Sequence, residues 1–407
     1  MRLFIKSFSL VLIFLLALLP SAQAVTVSPV LRLSALGGEF FTTSAESTGG
    51  NYEATVAPVI GLTDAFYLIP IYLGSYKQVP SIYDFLGEST IIDKQLDHQG
   101  ILRTLWAINS VWRIKPRFGF KREYVKQNTD DNLQNGLFNY TRYTGGIAVE
   151  AVTSWGSIEL GYDYGRTGYP NYQATIDDPL LVGSGLTTGA GTNILDIYSH
   201  DSSINYDYAT RDKRWRWTAN LDWLRENFID QKIISQDPTI NEETFVNKQR
   251  TDEIFTLTLQ QLFKYSERWS FGWGEVFQYY ISNQNAFDAS QIDAPSFTYR
   301  YYNYFDTQFN PSVTVTLGRF DTSVVGNFGF RRYSHRQTQD GDGNFTGSLI
   351  HSFNRGMTAT TRYRIAKGLY MVLSRSLVTY TSNTQFELDY PYNYSVFNVF
   401  GGLTWEY

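Results

Sequence analysis

Four histidines are the side chains of this sequence best suited to proton transfer near neutral pH, and two of them stand beside an aspartate. His98 follows Asp97, and His200 precedes Asp201. Nucleophilic catalysis also needs a nucleophile held against the base and a third group that orients the base, and the sequence shows no such set. We therefore assign no catalytic residue and expect no enzymatic activity.

Residues for metal and cofactor chemistry are equally scarce. The chain has no Cys, which excludes disulfides, thiolate metal sites and covalent haem attachment. Residues 340–344, Asp-Gly-Asp-Gly-Asn, match the start of a calcium-binding loop, but the twelfth position of that loop is His351 instead of Glu. A hairpin tip is the better interpretation. We expect no metal site and no cofactor.

Charged residues recur at alternate positions of segments that have a two-residue period. In residues 157–166, Ile158, Leu160, Tyr162 and Tyr164 alternate with polar residues. This period predicts β-strands with one apolar face and one polar face. Acids and bases are interspersed at a net charge of −5, so nucleic acid is not an expected partner. The charged residues that we assign to the polar faces are Arg103, Lys121, Glu150, Glu159, Asp163, Arg216, Asp222, Arg300, Asp306, Asp321, Arg331, Arg362 and Arg364.

The N-terminal residues have the features of a secretory signal peptide. Arg2 and Lys6 precede an apolar run at residues 10–19, and Ala22-Gln23-Ala24 places small residues at the cleavage positions. The sequence predicts a signal peptide over residues 1–24 and a mature chain over residues 25–407. The apolar run is too short for a transmembrane helix, which needs about 20 residues, and no later run approaches that length.

The composition of the chain restricts its fold. The sequence is rich in aromatic residues, with 30 Tyr, 28 Phe and 9 Trp. Strands cross a lipid bilayer only in a closed barrel, because every backbone N–H and C=O must find a partner there. The sequence therefore predicts an all-β fold, a closed antiparallel transmembrane β-barrel that forms one domain over residues 25–407.

Connections of two lengths alternate along the chain. Short turns are predicted near residues 63–66, 113–117, 154–156, 211–214, 265–268, 318–319 and 366–368. Longer polar loops are predicted near residues 39–50, 77–96, 127–138, 168–200, 226–250, 283–296, 334–344 and 383–392. Short turns at one end and long loops at the other are typical of bacterial outer-membrane barrels. Seven turns and eight loops join sixteen strands, with fourteen and eighteen as the neighbouring alternatives.

Two features conflict with regular strands. Pro29, Pro58 and Pro70 fall inside the first three predicted strands, although a closed barrel has no edge strand to accommodate proline. Glu275 falls on the lipid-facing parity of Trp269, and the glycines beside it predict a bulge that turns this carboxylate inward.

The C-terminal segment resembles the terminal signature of bacterial outer-membrane proteins. Its last residue is aromatic, and apolar residues alternate ahead of it. The resemblance implies that Val399, Leu403, Trp405 and Tyr407 form the signal read by the barrel-assembly machinery. The mature chain as a whole resembles porin-like barrels, without a motif of one porin family. This resemblance implies the outer membrane of a Gram-negative bacterium, with lipid and lipopolysaccharide as contacts.

Aromatic residues cluster near predicted strand ends, as at Tyr299, Tyr301, Tyr302 and Tyr304. Girdles at the two membrane interfaces explain this placement. A path of rings inside the lumen, on which carbohydrate stacks, is the alternative. The longest loop, residues 168–200, either folds into the lumen and sets a constriction or lies outside the barrel.

The polar faces of sixteen strands predict a water-filled lumen. The expected function is a channel for passive diffusion of ions and small hydrophilic solutes, and the near balance of acids and bases predicts weak ion selectivity. A dedicated barrel for polysaccharide export, or a sheath around a partner electron-transfer protein, is the alternative, and a closed structural or adhesive barrel is a third. A homo-oligomer and a periplasmic or surface partner both stay open.

The terminal aromatic generates a first prediction. Tyr407→Ser should lower the amount of folded barrel in the outer membrane without reducing export, because the assembly signal loses its last ring. Heat-modifiable mobility on gels measures the folded fraction, and Glu406→Gln is the matched control. An unchanged folded fraction in Tyr407→Ser would show that the ring is not part of such a signal.

Overall fold

The computed structural model describes residues 25–42, 46–78, 81–85, 88–92, 94–126, 133–172, 193–237, 239, 242–288, 296–386 and 392–407. The predicted signal peptide, residues 1–24, lies outside the described residues. No helix in the described ranges is long and apolar enough to cross a membrane.

The described residues form a closed antiparallel barrel of sixteen strands, as predicted. In chain order the strands are β1 (Leu31–Thr42), β2 (Glu46–Val56), β3 (Phe66–Lys77), β4 (Lys94–Ala107), β5 (Trp112–Lys126), β6 (Tyr140–Thr153), β7 (Gly156–Gly168), β8 (Ile197–Ala209), β9 (Trp215–Asp237), β10 (Glu242–Lys264), β11 (Trp269–Ser282), β12 (Tyr304–Leu317), β13 (Phe320–Gln339), β14 (Phe345–Ala366), β15 (Leu369–Ser382) and β16 (Tyr394–Glu406). Short strands Thr26–Ser28 and Val59–Thr63 continue β1 and β2, and Ser81–Phe85 with Glu88–Ile92 and Ala286–Asp288 with Ser296–Thr298 form hairpins in the loops.

The barrel closes where the first strand meets the last. β1 pairs with β16 from Arg32 opposite Glu406 to Thr42 opposite Val396, and the backbones of Leu31 and Tyr407 exchange hydrogen bonds of 2.8 and 3.0 Å. Following paired residues once round the wall advances the register by about 20 residues, which tilts the strands strongly to the barrel axis. A barrel of this size and stagger encloses a wide interior.

Short turns lie at one end of the barrel, at residues 64–65, 108–111, 154–155, 210–214, 265–268, 318–319 and 367–368. One predicted turn was wrong. Residues 113–117 belong to β5, and the chain turns at 108–111, where the side-chain carbonyl of Asn109 accepts the N–H groups of Val111 and Trp112 at 2.8 Å. Proline and polar residues are common in turns, so Pro116 and the basic residues beside it predicted one. The turn is formed instead at the Asn-Ser pair of residues 109–110.

Several predicted loops at the other end are strands instead. β9 continues to Asp237 and β10 begins at Glu242, so strands occupy most of residues 226–250. β1 and β2 likewise extend into the predicted loop at 39–50, and β13 extends to Gln339 in the predicted loop at 334–344. Polar composition indicates contact with water, and a strand pair that leaves the bilayer becomes polar without ceasing to be a strand.

The three N-terminal prolines lie side by side in the wall. The strands are interrupted at Pro29 and at Pro58, and the register on both sides places Pro29 opposite Pro58 and Pro58 opposite Pro70. The Ala57 N–H still donates to the Val30 carbonyl at 2.8 Å. Pro58 and Pro70 therefore omit their donors at the same place, and the β2–β3 ladder lacks one rung there.

The predicted bulge at Glu275 is absent from the described β10–β11–β12 wall. Glu275 pairs with Leu259 on one side and Phe309 on the other, and both registers are continuous. Its side chain therefore lies on the outer face. A close neighbour explains Gly272 instead, since a side-chain carbon there would lie 2.7 Å from the Ser312 hydroxyl.

The outer face of the barrel is apolar and edged by aromatic rings at both ends. Exposed rings near the short turns are Trp106, Trp217, Trp269, Phe320 and Trp405, and those near the opposite end are Tyr162, Trp223, Phe255, Tyr279 and Phe305. Leu160, Leu221, Leu373 and Leu403 lie between the two sets. The predicted girdles are therefore present, and the face between them matches the lipid-contacting band of a transmembrane barrel.

Substitutions on the two faces of β9 should lower the free energy of unfolding by different amounts. Leu221 points outward, whereas Asn220 points inward and donates to the side chain of Asn205. Leu221→Arg should destabilise the barrel by roughly 2–4 kcal/mol, because an arginine facing the middle of the bilayer loses its hydration. Asn220→Arg should cost much less, because its head group remains wet. Urea unfolding in lipid vesicles measures both, and equal costs would refute the assignment of faces.

Candidate functional site: the barrel lumen

The predicted lumen-lining residues can now be placed in the wall. All except Arg300 lie on strands, on the face opposite to the exposed apolar residues. Arg300 lies in the turn before β12, with a left-handed φ of 49°, and its guanidinium stacks on Tyr299 at 5.0 Å. The strand predicted to begin at residue 297 begins at Tyr304.

The densest inward charges form a ladder across β5, β6 and β7. Glu150 and Glu159 face each other directly across β6 and β7, and Lys115 Nζ lies 2.9 Å from Glu150 and 2.7 Å from Glu159. Arg113 binds Glu150 at 3.2 Å, and Arg117 forms a bidentate pair with Asp163. The misplaced turn hid Arg113, Lys115 and Arg117 from sequence reasoning, although they share the parity of Lys121.

Other lumenal ion pairs are also local. Arg216 binds Asp207 on the neighbouring strand at 2.7 Å, Arg331 binds Asp306 at 2.9 Å, and Arg362 binds Glu406 at 2.9 Å. These cations neutralise carboxylates on the same wall, so the charges cancel within a few ångströms instead of facing each other across the lumen.

The inner face of β12–β16 differs from this charged wall. Through its middle it carries hydroxyl groups, with Thr314 bound to Ser323 at 3.1 Å, Thr358 to Ser376 at 3.1 Å and Thr360 to Ser374 at 3.2 Å. The charges of this wall lie near its two ends, at Asp306 and Arg331 and at Asp321, Arg362, Arg364 and Glu406. The lumen thus has a charged side and an uncharged, hydroxyl-lined side.

A buried ionic cluster holds the loop end of the wall beside β9 and β10. Arg250 binds Asp252 through Nε and Nη2 at 2.7–3.0 Å and lies between the rings of Phe228 and Tyr302, 4.5 and 4.4 Å away. Ser282 and Tyr280 also donate to the Asp252 carboxylate. The sequence did not reveal this cluster, because the polar composition of residues 226–250 predicts a loop there.

The described ends of the longest loop pack on the inner side of the wall. Tyr169, Ile194 and Leu195 form an apolar cluster with Ile197 and Phe228, whose side chains project inward from β8 and β9. The loop therefore starts and ends against the lumen mouth. Its middle, residues 173–192 with the glycine-rich stretch, lies outside the described residues.

The two Asp–His pairs do not form units. Neighbouring residues of a strand point to opposite faces. His98 points outward and bonds Tyr72 at 2.8 Å, whereas Asp97 accepts a hydrogen bond from Ser75 on the inner face. His200 repeats the arrangement with Tyr162 at 2.8 Å. No group of three His, Asp or Glu suited to a metal ion occurs in the part of the chain that the structure describes.

The predicted hairpin tip at residues 340–344 is present. One Asp340 side-chain oxygen, Oδ1, accepts the backbone N–H groups of Asn344 at 2.9 Å and Asp342 at 3.0 Å. The hydrogen bond from Asn344, outside the membrane, lowers the pKa of Asp340 below its ordinary value. Asp340 therefore stabilises the hairpin turn, and this role accounts for an acidic residue at position 340.

Closure, an aromatic-edged apolar outside and a polar inside occur together in one structure. The chain has the architecture of a transmembrane β-barrel. No protein-family model matches the sequence, and no curated protein does.

Solved structures with similar folds are distant. OmpT, an outer membrane protein of Vibrio cholerae, aligns with a TM-score of 0.45 at 9% identity, over 96% of this chain and 100% of that one. A bacterial polysaccharide outer membrane secretin gives 0.42 at 9% over 93% and 98%. A porin of Rh. blastica gives 0.35 at 10% over 94% and 100%. At this level the likenesses carry no weight for function.

The ladder predicts a measurable coupling. Lys115→Met should destabilise the barrel by about 1–3 kcal/mol, because Glu150 and Glu159 then face each other without their shared cation. Adding Glu150→Gln should restore part of the loss, because only one charge remains. Unfolding free energies of the single and double variants in vesicles measure the coupling. Additive losses would show that Lys115 does not bridge the two carboxylates.

Proposed function

We propose that this protein is a channel for passive diffusion of ions and small hydrophilic solutes across the outer membrane. The supporting observation is the wet inner wall. Arg216 and Asp207, which form an ion pair on that wall, keep 61% and 39% of their side-chain surface exposed. A barrel of sixteen strands leaves an aqueous lumen unless a segment or partner fills it.

The mechanism requires no chemistry. Solutes pass by size, and charged solutes are sorted by the field of the wall. Because low-dielectric walls focus the field and the screening length is about 8 Å at physiological salt, each unpaired charge acts over much of the lumen. Local ion pairs reduce this field, so the channel should discriminate weakly between small cations and anions.

Planar-bilayer recording tests the proposal directly. The folded full-length mature barrel should give stable conductance with a reversal potential close to zero in a gradient of potassium chloride. Verified folding without conductance would reject the passive channel and would favour the export or scaffold alternative, in which a partner or segment occupies the lumen.

Arg362 and Arg364 provide the charge-reversal test. Both lie on the inward parity of β14 near the short-turn end, where Arg362 also stacks on Tyr370 at 4.1 Å. Arg362→Glu with Arg364→Glu should shift the reversal potential towards cation preference, and the corresponding Gln pair should shift it about half as far. Arg122→Gln, on the outer face beside Tyr124, is the control. Conductance without any shift would place these arginines away from the path of the ions.

A further inference from the structure

A second group of aromatic rings lies inside the barrel, at the loop end of β11–β16. We call this group the tyrosine cluster, and its members are Tyr280, Tyr304, Tyr333, Tyr380 and Tyr394. Tyr304 stacks on Tyr280 with ring centroids 5.1 Å apart and meets Tyr333 edge-on at 5.7 Å, and Tyr380 stacks on Tyr394 at 4.6 Å. The assignment of Tyr304 to a membrane girdle was therefore wrong.

The rings of the tyrosine cluster lie on the inner face of the barrel, unlike the rings of the girdles. Tyr304 lies between Asn303 and the outward-facing Phe305, and it is 4% exposed, whereas Phe305 is 41% exposed. Its hydroxyl lies 3.4 Å from Gln278, which also faces inward. The tyrosine cluster thus faces away from lipid. Tyr280, Tyr304 and Tyr333 are packed within the wall at 3–7% exposure, and Tyr380 and Tyr394 are its more exposed rings.

A cavity of about 400 Å³ adjoins the cluster. Tyr333, Tyr380 and Tyr394 contribute rings to its lining, and the hydrogen-bonding groups come from Gln278, Gln308, Ser352 and Asn354. A few polar groups set among aromatic surfaces are the usual composition of a small-molecule site, and the volume lies within the usual range of about 300–1,000 Å³.

One acceptor in this lining lacks a donor. Asn354 Oδ1 is buried and has no hydrogen-bond partner in the described structure. Gly329 makes room for it, because a side-chain carbon at position 329 would overlap this oxygen. A buried acceptor left unpaired costs roughly 1–3 kcal/mol.

The charges of the cavity cancel. Arg331 Nε donates to Asp306 at 2.9 Å, and the same guanidinium lies over the Tyr304 ring at 4.1 Å. With the cation already bound to its carboxylate and to a ring, the lining does not select an ion. It suits an uncharged molecule that has many hydroxyl groups and an apolar face to lay on a ring.

We propose that the tyrosine cluster and its cavity bind a neutral saccharide as it enters the lumen. This inference rests on the proposed channel and names its solute class. Pyranose rings combine equatorial hydroxyls, which suit the Gln, Ser and Asn groups, with C–H faces that suit tyrosine rings. The hydroxyl-lined side of the lumen continues from the cavity along β12–β16, so hydrogen bonds can be exchanged along the way.

Blocking of the ion current tests this site. Maltotriose and cellotriose added on the loop side should reduce conductance saturably, with half-block at millimolar concentrations. Polyethylene glycol of equal hydrodynamic size should reduce it only in proportion to its concentration. Tyr380→Ala should raise the half-block concentration at least tenfold, and Asn354→Ala should raise it several-fold. Tyr279→Ala, on the outer face of β11, is the matched control.

A binding measurement without current separates this inference from the channel itself. Saturation-transfer NMR on the detergent-folded barrel should show maltotriose signals that disappear in Tyr380→Ala. Binding without conductance would leave the saccharide site standing and reject the channel. Conductance with no block and no binding by either trisaccharide would reject the site and leave the channel standing. Binding of acidic oligosaccharides alone, or equal block in Tyr380→Ala, would also overturn the neutral-saccharide site.

Discussion

Backbone hydrogen bonding in lipid is the constraint on which the rest of this structure depends. A strand in the bilayer has no water to bond, so each N–H and C=O must find a neighbouring strand. The pairing of β1 with β16 meets this requirement for the whole sheet at once. Because the pairing is continuous, the two-residue period then decides which side chains meet lipid and which meet the lumen.

The same constraint explains how charge is distributed. Side chains on the inner face keep contact with water, yet they lie close together on tilted neighbouring strands. Glu150 and Glu159 face each other, and their carboxylates would repel. Lys115 on the neighbouring strand binds both and offsets this repulsion. On the opposite side of the lumen the strands carry hydroxyls and tyrosines instead. The lumen of the barrel therefore has two chemically different surfaces.

The period of two predicted most of the fold. β11 and β15 match the predicted strands at residues 269–282 and 369–382, because apolar and polar residues alternate there up to clear turns. The predicted loop at residues 226–250 was wrong. Polar composition indicates that a segment contacts water instead of lipid, but it does not indicate whether that segment is strand or coil. Arg113 and Lys115 were missed through one misplaced turn. Tyr304 was misassigned because the parity of a residue near a strand end depends on where the strand begins, which no local pattern specified.

The row of prolines should make one part of the barrel wall easier to deform than the rest. Pro58 and Pro70 remove both donors from one rung between β2 and β3, close to the strand that meets β16. A ladder with a missing rung resists bending and shear less than a complete one. When the cylinder is deformed by lateral pressure from the bilayer, curvature should concentrate along this line, beside the seam that joins the first strand to the last. The remaining wall, with its unbroken registers from β6 to β8, can then keep the shape of the lumen constant.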